Sequence, residues 1–471
     1  MENQLFETRI YKILTYIVDF LLIIVSVYLS FFIKFGNNIN NFDLSSFLYI
    51  YLLMIFSYII FMYVFGIDDI LKKDIGEIIY SISLTVICLI ITTSFIAFFL
   101  QLYSYPRTVI LISSIPQFIS LSIWRYIVWK IIRKKHGIKD CLIVGNTSVE
   151  ELTQKITIKQ KDLYKIKYLC SDKSQNIMKY VNDVKVVFIT SDVSYSTRYK
   201  ILNKCIPEGK SVYIIPNSYE VMLLNSKLNR ADDTPLLNLN SIGLTIEQRV
   251  MKRILDIIVS SIGLLITSPI MLIVAIAIKL SDGGHVFYGQ ERVTIRKKTF
   301  KVLKFRTMVI NAEKQTGPVL AGENDPRITK IGRILRATRL DELPQFFNIL
   351  KGDMSVVGPR PERPFFVEKF ENQIEDYKYR TLVKAGLTGF AQIYGKYNTT
   401  AVDKAKYDLM YIKNYSIFLD LKLLLLTVKI MFIKDSTEGV KDTVKFSDFI
   451  KDNEMELVVD LESHKHTDLV I

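Results

Sequence analysis

Cysteine and histidine are scarce in this chain, with four of each among 471 residues. Cys88, Cys141, Cys170 and Cys205 stand far apart and form no C-x-x-C pair, which argues against a disulfide framework or a zinc ribbon and suits a reducing compartment. His136, His285, His464 and His466 make no metal-binding pattern. A glycine-rich phosphate loop is missing too. After the apolar run 141–145 (CLIVG) come Asn146, Thr147 and Ser148, whereas a dinucleotide fingerprint needs three glycines for the backbone to approach a pyrophosphate. No cleavable leader is expected, because the first apolar run is too long and no small-residue cleavage site follows it.

What is abundant is apolar surface and positive charge. Half the residues are hydrophobic and the net charge is +14. Such charge suits anionic lipid headgroups or phosphate-bearing ligands. Nucleic acid is not expected as a partner, since the basic residues flank apolar segments rather than forming a solvated stripe. Apolar runs at 11–33, 47–65, 78–100 and 109–124 are each long enough, or nearly so with their flanks, to cross a hydrocarbon core of about 30 Å. Asp19 lies inside the first run, where it needs either a polar partner in the bundle or a place near the interface. Arg9 and Lys12, Lys72 and Lys73, and Lys130, Arg133, Lys134 and Lys135 put the chain's start, the second loop and everything after residue 135 in the cytoplasm.

Residues 136–247 alternate short β-branched runs (141–145, 184–191, 211–216) with polar helical stretches, the pattern of a parallel α/β sheet. A second kind of apolar segment follows at 254–280. Pro269 removes a backbone donor and should break or kink the helix at Ser268 and Pro269, leaving the Leu265 carbonyl without its helical partner. Basic residues lie on both sides of the segment: Arg249, Lys252 and Arg253 before it, and Lys279 and Arg292 through Arg306 after it. Both ends are therefore expected in the cytoplasm, with the segment dipping into one leaflet and Ser268 bonding a freed carbonyl. A fifth crossing helix is the alternative, and it would export the remainder.

Beyond residue 288 the sequence carries QERV (290–293), KFRTM (304–308), DPRITKIGR (325–333), RLDELPQFFNILKGDMSVVGPRPE (339–362) and LTGFAQ (387–392). With KRILD (252–256) and KYDLMY (406–411), this ordered set resembles the bacterial sugar transferase family of monotopic phosphoglycosyl transferases over about residues 249–434. The spans and the α/β unit further resemble the large subclass of that family. Members usually have proline-glycine before the threonine-glycine and tryptophan after it, whereas this chain has Ala385-Gly386 and Phe390.

The resemblance implies a membrane protein of α plus α/β class in four parts: a four-helix transmembrane bundle (1–135), a Rossmann-like α/β domain without an intact dinucleotide fingerprint (136–247), a mostly α catalytic domain with a re-entrant helix (248–434), and a polar tail (435–471). Asp341 and Glu342 are adjacent in an expected helix, so their side chains diverge by about 100° and should not share one task. One can attack phosphorus while the other holds a metal. The resemblance makes Asp341 the nucleophile and Glu342 the ligand of Mg2+. Lys304, Arg306, Arg327, Arg339 and Arg360 are the expected phosphate-binding cations, and two prolines stiffen the loop that bears Arg360. Arg333 and Arg336 suit either a phosphate or the membrane surface, and Asp408 and Asp420 suit a capping or surface role at least as well as a family one. The reaction implied is transfer of sugar 1-phosphate from a UDP-sugar to undecaprenyl phosphate, releasing UMP, at the cytoplasmic face of a bacterial inner membrane as capsule, exopolysaccharide or O-antigen synthesis begins. A lipid-linked glycosyltransferase releasing UDP and a non-enzymatic membrane scaffold are the rivals. Membrane lipids are expected partners, and the spans and α/β unit offer surfaces for a homodimer.

Overall fold

The first four apolar runs form helices α1 (Glu2–Phe35), α2 (Leu44–Phe65), α3 (Ile75–Phe99) and α4 (Arg107–His136) in a computed structural model that describes residues 2–36, 44–101, 106–239, 242–309, 325–395, 399–431 and 458–460. Helix α1 packs on α4, α4 on α3 and α3 on α2. The interior is built from Val27, Phe31, Ile50, Met54, Val109 and Ile110, while Phe56, Tyr63, Ile91, Phe95 and Ile115 point outward as lipid-facing residues would. Asp19 is fully buried and accepts hydrogen bonds from Arg125 of α4 and, at 2.9 Å, from Tyr58 of α2. Its partners, Tyr58 and Arg125, therefore come from within the bundle.

Strands and helices then alternate: β1 (Lys139–Val144), α5 (Val149–Gln160), β2 (Tyr164–Cys170), α6 (Ile177–Asp183), β3 (Val186–Ile189), α7 (Tyr195–Cys205) and β4 (Ser211–Ile214). The strands are parallel in the order β2-β1-β3-β4. Apolar residues cover both faces, as parallel sheets require: Leu142, Val144, Ile189 and Ile201 on one side, and Cys141, Ile143, Val149 and Ile156 on the other.

At the first βα turn a Cβ on Gly145 would come within 2.0 Å of Thr190 Oγ1, so this glycine serves close packing. Asp192 Oδ2 accepts from Asn146 N (3.2 Å), Thr147 N (2.6 Å) and Thr147 Oγ1 (2.7 Å). A dinucleotide's pyrophosphate would need such donors, so these residues do not fit that cofactor; the chain's own carboxylate takes the place. Partial burial pushes the Asp192 pKa up, but these hydrogen bonds outweigh it and hold the carboxyl at about 2. Its stabilising effect is present above the ordinary aspartate pKa of about 4 and is lost as pH falls toward the folded-state value. Asp192→Ala is expected to destabilise the α/β unit by about 1–3 kcal/mol at neutral pH, read from its denaturant midpoint, with the difference shrinking below pH ~4.

The chain separates into two units, residues 1–215 with 444–471, and residues 216–443. In the second, α8 (Ser218–Leu223) packs on a later helix, and β5 (Lys227–Ala231) and β6 (Thr234–Asn238) make an exposed antiparallel hairpin. Helix α9 (Ile246–Asp282) leads to the antiparallel pair β7 (Phe287–Val293) and β8 (Thr299–Phe305). Then come α10 (Lys330–Ala337), a 3-10 turn at Leu340–Glu342, α11 (Gln345–Lys351), β9 (Ser355–Val357), α12 (Pro364–Gln373), β10 (Gly386–Thr388), α13 (Phe390–Tyr394), α14 (Ala401–Lys413) and α15 (Ile417–Met431). Ile349, Met354, Val356, Val383, Tyr411 and Leu423 form the largest part of its core.

Helix α9 corrects the expectation of a break at Ser268 and Pro269, though not that of a kink. Helical structure runs without interruption through Ser268 and Pro269. Ser268 Oγ donates to Leu265 O at 3.0 Å, and Leu265 O is the carbonyl that the proline leaves without an N–H. That substitute bond lets the helix continue. Among the described residues four helices are long and apolar enough to cross a membrane, and α9 is one of them over Ile246–Ser281. Its contacts nevertheless fit a re-entrant helix. Before the proline, Arg253 bonds to Ile349 O and Leu350 O (2.7 Å each); after it, Met271, Val274 and Ile278 pack with Phe305 and Leu335 of the same unit. A helix crossing about 30 Å of hydrocarbon would not return to one unit at both ends. Leu265, Ile266, Leu272 and Ile273 remain largely exposed, as a lipid-immersed face would be.

The polar tail contributes one described element, β11 (Val458–Asp460), which adds to the parallel sheet beside β2.

Candidate active site

The site forms where α10 ends. Thr329 caps the start of α10 by accepting from Gly332 N at 2.9 Å, and Arg339 stops its continuation by adopting a left-handed conformation, φ 58°. For a residue with a Cβ this costs about 1–2 kcal/mol. The next turn is 3-10 and not the expected α-helix, so Asp341 and Glu342 diverge by about 120°. Asp341 is 7% exposed, and the Glu342 side chain is 13% exposed.

Three of the five expected cations gather at Glu342. Lys304 Nζ, from β8, donates to Glu342 Oε1 at 2.9 Å; Arg360 donates to the same oxygen at 3.0 Å; Arg339 stands 3.9 Å from it. Asp341 accepts none of these bonds. Burial pushes the Asp341 pKa up, and the neighbouring Glu342 carboxylate adds to the rise against the pull of Lys304, Arg336 and Arg339. Glu342 goes the other way: burial would raise it, but Lys304 and Arg360 hold it far below the usual carboxylate range. The adjacent carboxyls are thus driven apart, Glu342 held as an anion by its cations and Asp341 disfavoured as one by burial and by Glu342.

The other two expected cations are held elsewhere. Arg306 follows Lys304 by two residues and packs its guanidinium over Gly284, just past the end of α9. Arg327 forms a fork with Asp325, Nε lying 2.9 and 3.1 Å from the two carboxylate oxygens, and this holds Asp325 at about 2. Ser268 and Pro269 lie within α9.

The loop bearing Arg360 is pinned through successive carbonyls. Pro359 O accepts from Gly386 N (2.9 Å), Arg360 O from Arg380 (3.0 Å), and Pro361 O from Arg292 (3.0 Å). A Cβ on Gly386 would fall 2.1 Å from Gly358 N, so β10 can back this loop only with glycine there. Arg380 is in turn fixed by Asp408, Nε to Oδ2 at 2.7 Å, and by the ring of Tyr377.

Sequence reasoning missed this support. Asp408 and Asp420 are not surface or capping residues. Asp408 is 1% exposed against Arg380, and Asp420 is 0% exposed, accepting from Lys252 Nζ (2.6 Å) and Tyr411 OH (2.7 Å). The local signals were an acid on an otherwise apolar helical face and, for Asp408, its place within KYDLMY (406–411).

No cluster of three or more His, Cys, Asp or Glu side chains is formed among the described residues. A magnesium ion does not need one, because it commonly takes one or two carboxylates and completes its shell with substrate phosphate and water. The Glu342 bonds to Lys304 and Arg360 both use Oε1, a donor set that leaves the other oxygen for such an ion.

Residues 247–434 match the family model described as bacterial sugar transferase. A Klebsiella pneumoniae UDP-glucose:undecaprenyl-phosphate glucose-1-phosphate transferase is 43% identical over 231 residues, 48% of this chain and 50% of the relative. An Escherichia coli K12 protein of the same name is 37% identical over 269 residues, 55% of this chain and 58% of the relative. The chain thus spans little more than half the length of these two relatives. A Bacillus subtilis protein named for undecaprenyl-phosphate N-acetylgalactosaminyl 1-phosphate transfer is 52% identical over 130 residues, 28% of this chain and 72% of the relative.

Proposed function

Because this chain belongs to the bacterial sugar transferase family, we propose that it transfers a sugar 1-phosphate from a UDP-sugar to undecaprenyl phosphate, releasing UMP, at the cytoplasmic face of a bacterial inner membrane. The observation that carries this reading is the meeting of two adjacent, largely buried carboxyls, Asp341 and Glu342, with Lys304, Arg339 and Arg360, which lie 2.9, 3.9 and 3.0 Å from Glu342 Oε1.

The reaction has two steps. An Asp341 oxygen attacks the sugar-bearing phosphorus, a P–O bond to the leaving phosphate breaks, and UMP departs with the electron pair. An oxygen of undecaprenyl phosphate then attacks the same phosphorus, the aspartyl–phosphate bond breaks, and the carboxylate is restored. Arg360 and Arg339 offer planar forks, and Lys304 a point charge, to the oxygens that gain charge during each transfer. Glu342 keeps these cations in place before substrate arrives, and it would hold Mg2+. When bound, the ion supplies charge neutralisation on the diphosphate.

The test is the identity of the released nucleotide. Full-length protein in nanodiscs, given undecaprenyl phosphate and UDP-glucose, UDP-galactose or UDP-N-acetylgalactosamine, is expected to release UMP, to stop on chelation and to recover with Mg2+. Release of UDP would replace this reading with ordinary glycosyl transfer.

A further inference from the structure

We infer that Asp256 on α9 is a positioning residue for Arg360, coupling the seating of the membrane helix to the phosphate-binding loop; this rests on the function proposed above. Asp256 is 2% exposed, and its Oδ1 accepts from Ser355 Oγ and Val356 N, both at 2.8 Å. These donors belong to β9, which pairs with β10 through Ser355 and Val357. Alternate residues of a strand point their N–H groups to opposite edges, so the Val356 N–H faces away from β10. The carboxylate of α9 takes the place of a third strand there.

The loop after β9 transmits this placement. Gly358 and Pro359 connect the strand to Arg360, and the two prolines leave the segment little torsional freedom. Gly358 N is fixed to Thr388 O at 2.8 Å. A shift of Val356 therefore moves the guanidinium that meets Glu342 Oε1. Arg253, one helical turn before Asp256 on the same face, donates to Ile349 O and Leu350 O at the end of α11, the helix that begins just after Glu342. One face of α9 thus holds both polypeptide segments that meet at Glu342.

Full-length protein in nanodiscs carrying Asp256→Ala, Asp256→Asn or Ser355→Ala tests this by hydrogen exchange over residues 355–361 and by the first turnover of UMP release at saturating UDP-sugar. Asp256→Ala is expected to raise exchange at Val356 at least about ten-fold and to slow UMP release about 10- to 100-fold, as small misplacements of catalytic groups do. Asparagine keeps an acceptor oxygen for both bonds and should restore both readouts to within about three-fold. Ser355→Ala, which removes one bond, should fall between them, and it decides the matter if the alanine variant does not fold. Unchanged exchange, altered exchange with unaltered UMP release, or an asparagine variant as impaired as alanine would each overturn the inference. If the unsubstituted protein releases no UMP, the proposed function fails by itself, and the exchange arm still reports whether Asp256 holds the loop.

Discussion

Asp341→Asn is expected to lower UMP release by about 10^4-fold or more, the scale seen when a covalent nucleophile is removed. Asparagine is the informative replacement because it nearly preserves volume in a site where the native side chain is 7% exposed. Burial and Glu342 disfavour the charged form of Asp341, so a neutral side chain relieves a folded-state penalty. The variant should be at least as stable as the parent while inactive, separating chemistry from folding. Mass spectrometry after incubation with UDP-sugar alone should find a phosphosugar adduct on Asp341 in the parent and none in the variant. Retained turnover in Asp341→Asn would remove the nucleophile from the mechanism, and a membrane scaffold would become the better reading.

Arg380→Met should have the largest effect on stability. It strands Asp408, 1% exposed, without the cation now 2.7 Å away. Breaking one side of a buried pair costs about 3–5 kcal/mol, while replacing both sides with apolar groups is often near neutral. The double variant Arg380→Met/Asp408→Leu is therefore expected to recover most of the lost denaturant midpoint. It should not recover UMP release, because Arg360 O no longer has the donor that fixes it. A double variant that regained both would show that Arg380 acts only in folding.

Much of this architecture is legible in the residues themselves. Apolar runs of bilayer length and alternating β-branched strands mark the bundle and the α/β unit, since both patterns are local. Lys304, Arg339, Glu342 and Arg360 come from segments that carry their own motifs, which mark them as site residues, while the bonds of the cations to Glu342 come from packing. Other features depend on distant partners. Asp19 finds Arg125 106 residues away, Lys252 finds Asp420 168 residues away, and Asp256 finds Ser355 99 residues away. No spacing rule connects such pairs, because tertiary packing alone selects them. Arg306 and Arg327 show the converse: sequence identifies a cation but not the neighbour that engages it. At Pro269, propensity alone favours a stop, yet the helix continues, with the Ser268 hydroxyl bonded to the carbonyl that the proline leaves without an N–H.

The short strand β11 changes how the molecule can be trimmed. A chain cut after residue 434 would bare the outer border of β2, where backbone groups along Tyr168, Leu169 and Cys170 now lie beside Val458, Val459 and Asp460. Such a border recruits strands from other molecules. Shortened preparations should therefore self-associate more readily than the intact polypeptide, whatever becomes of their chemistry.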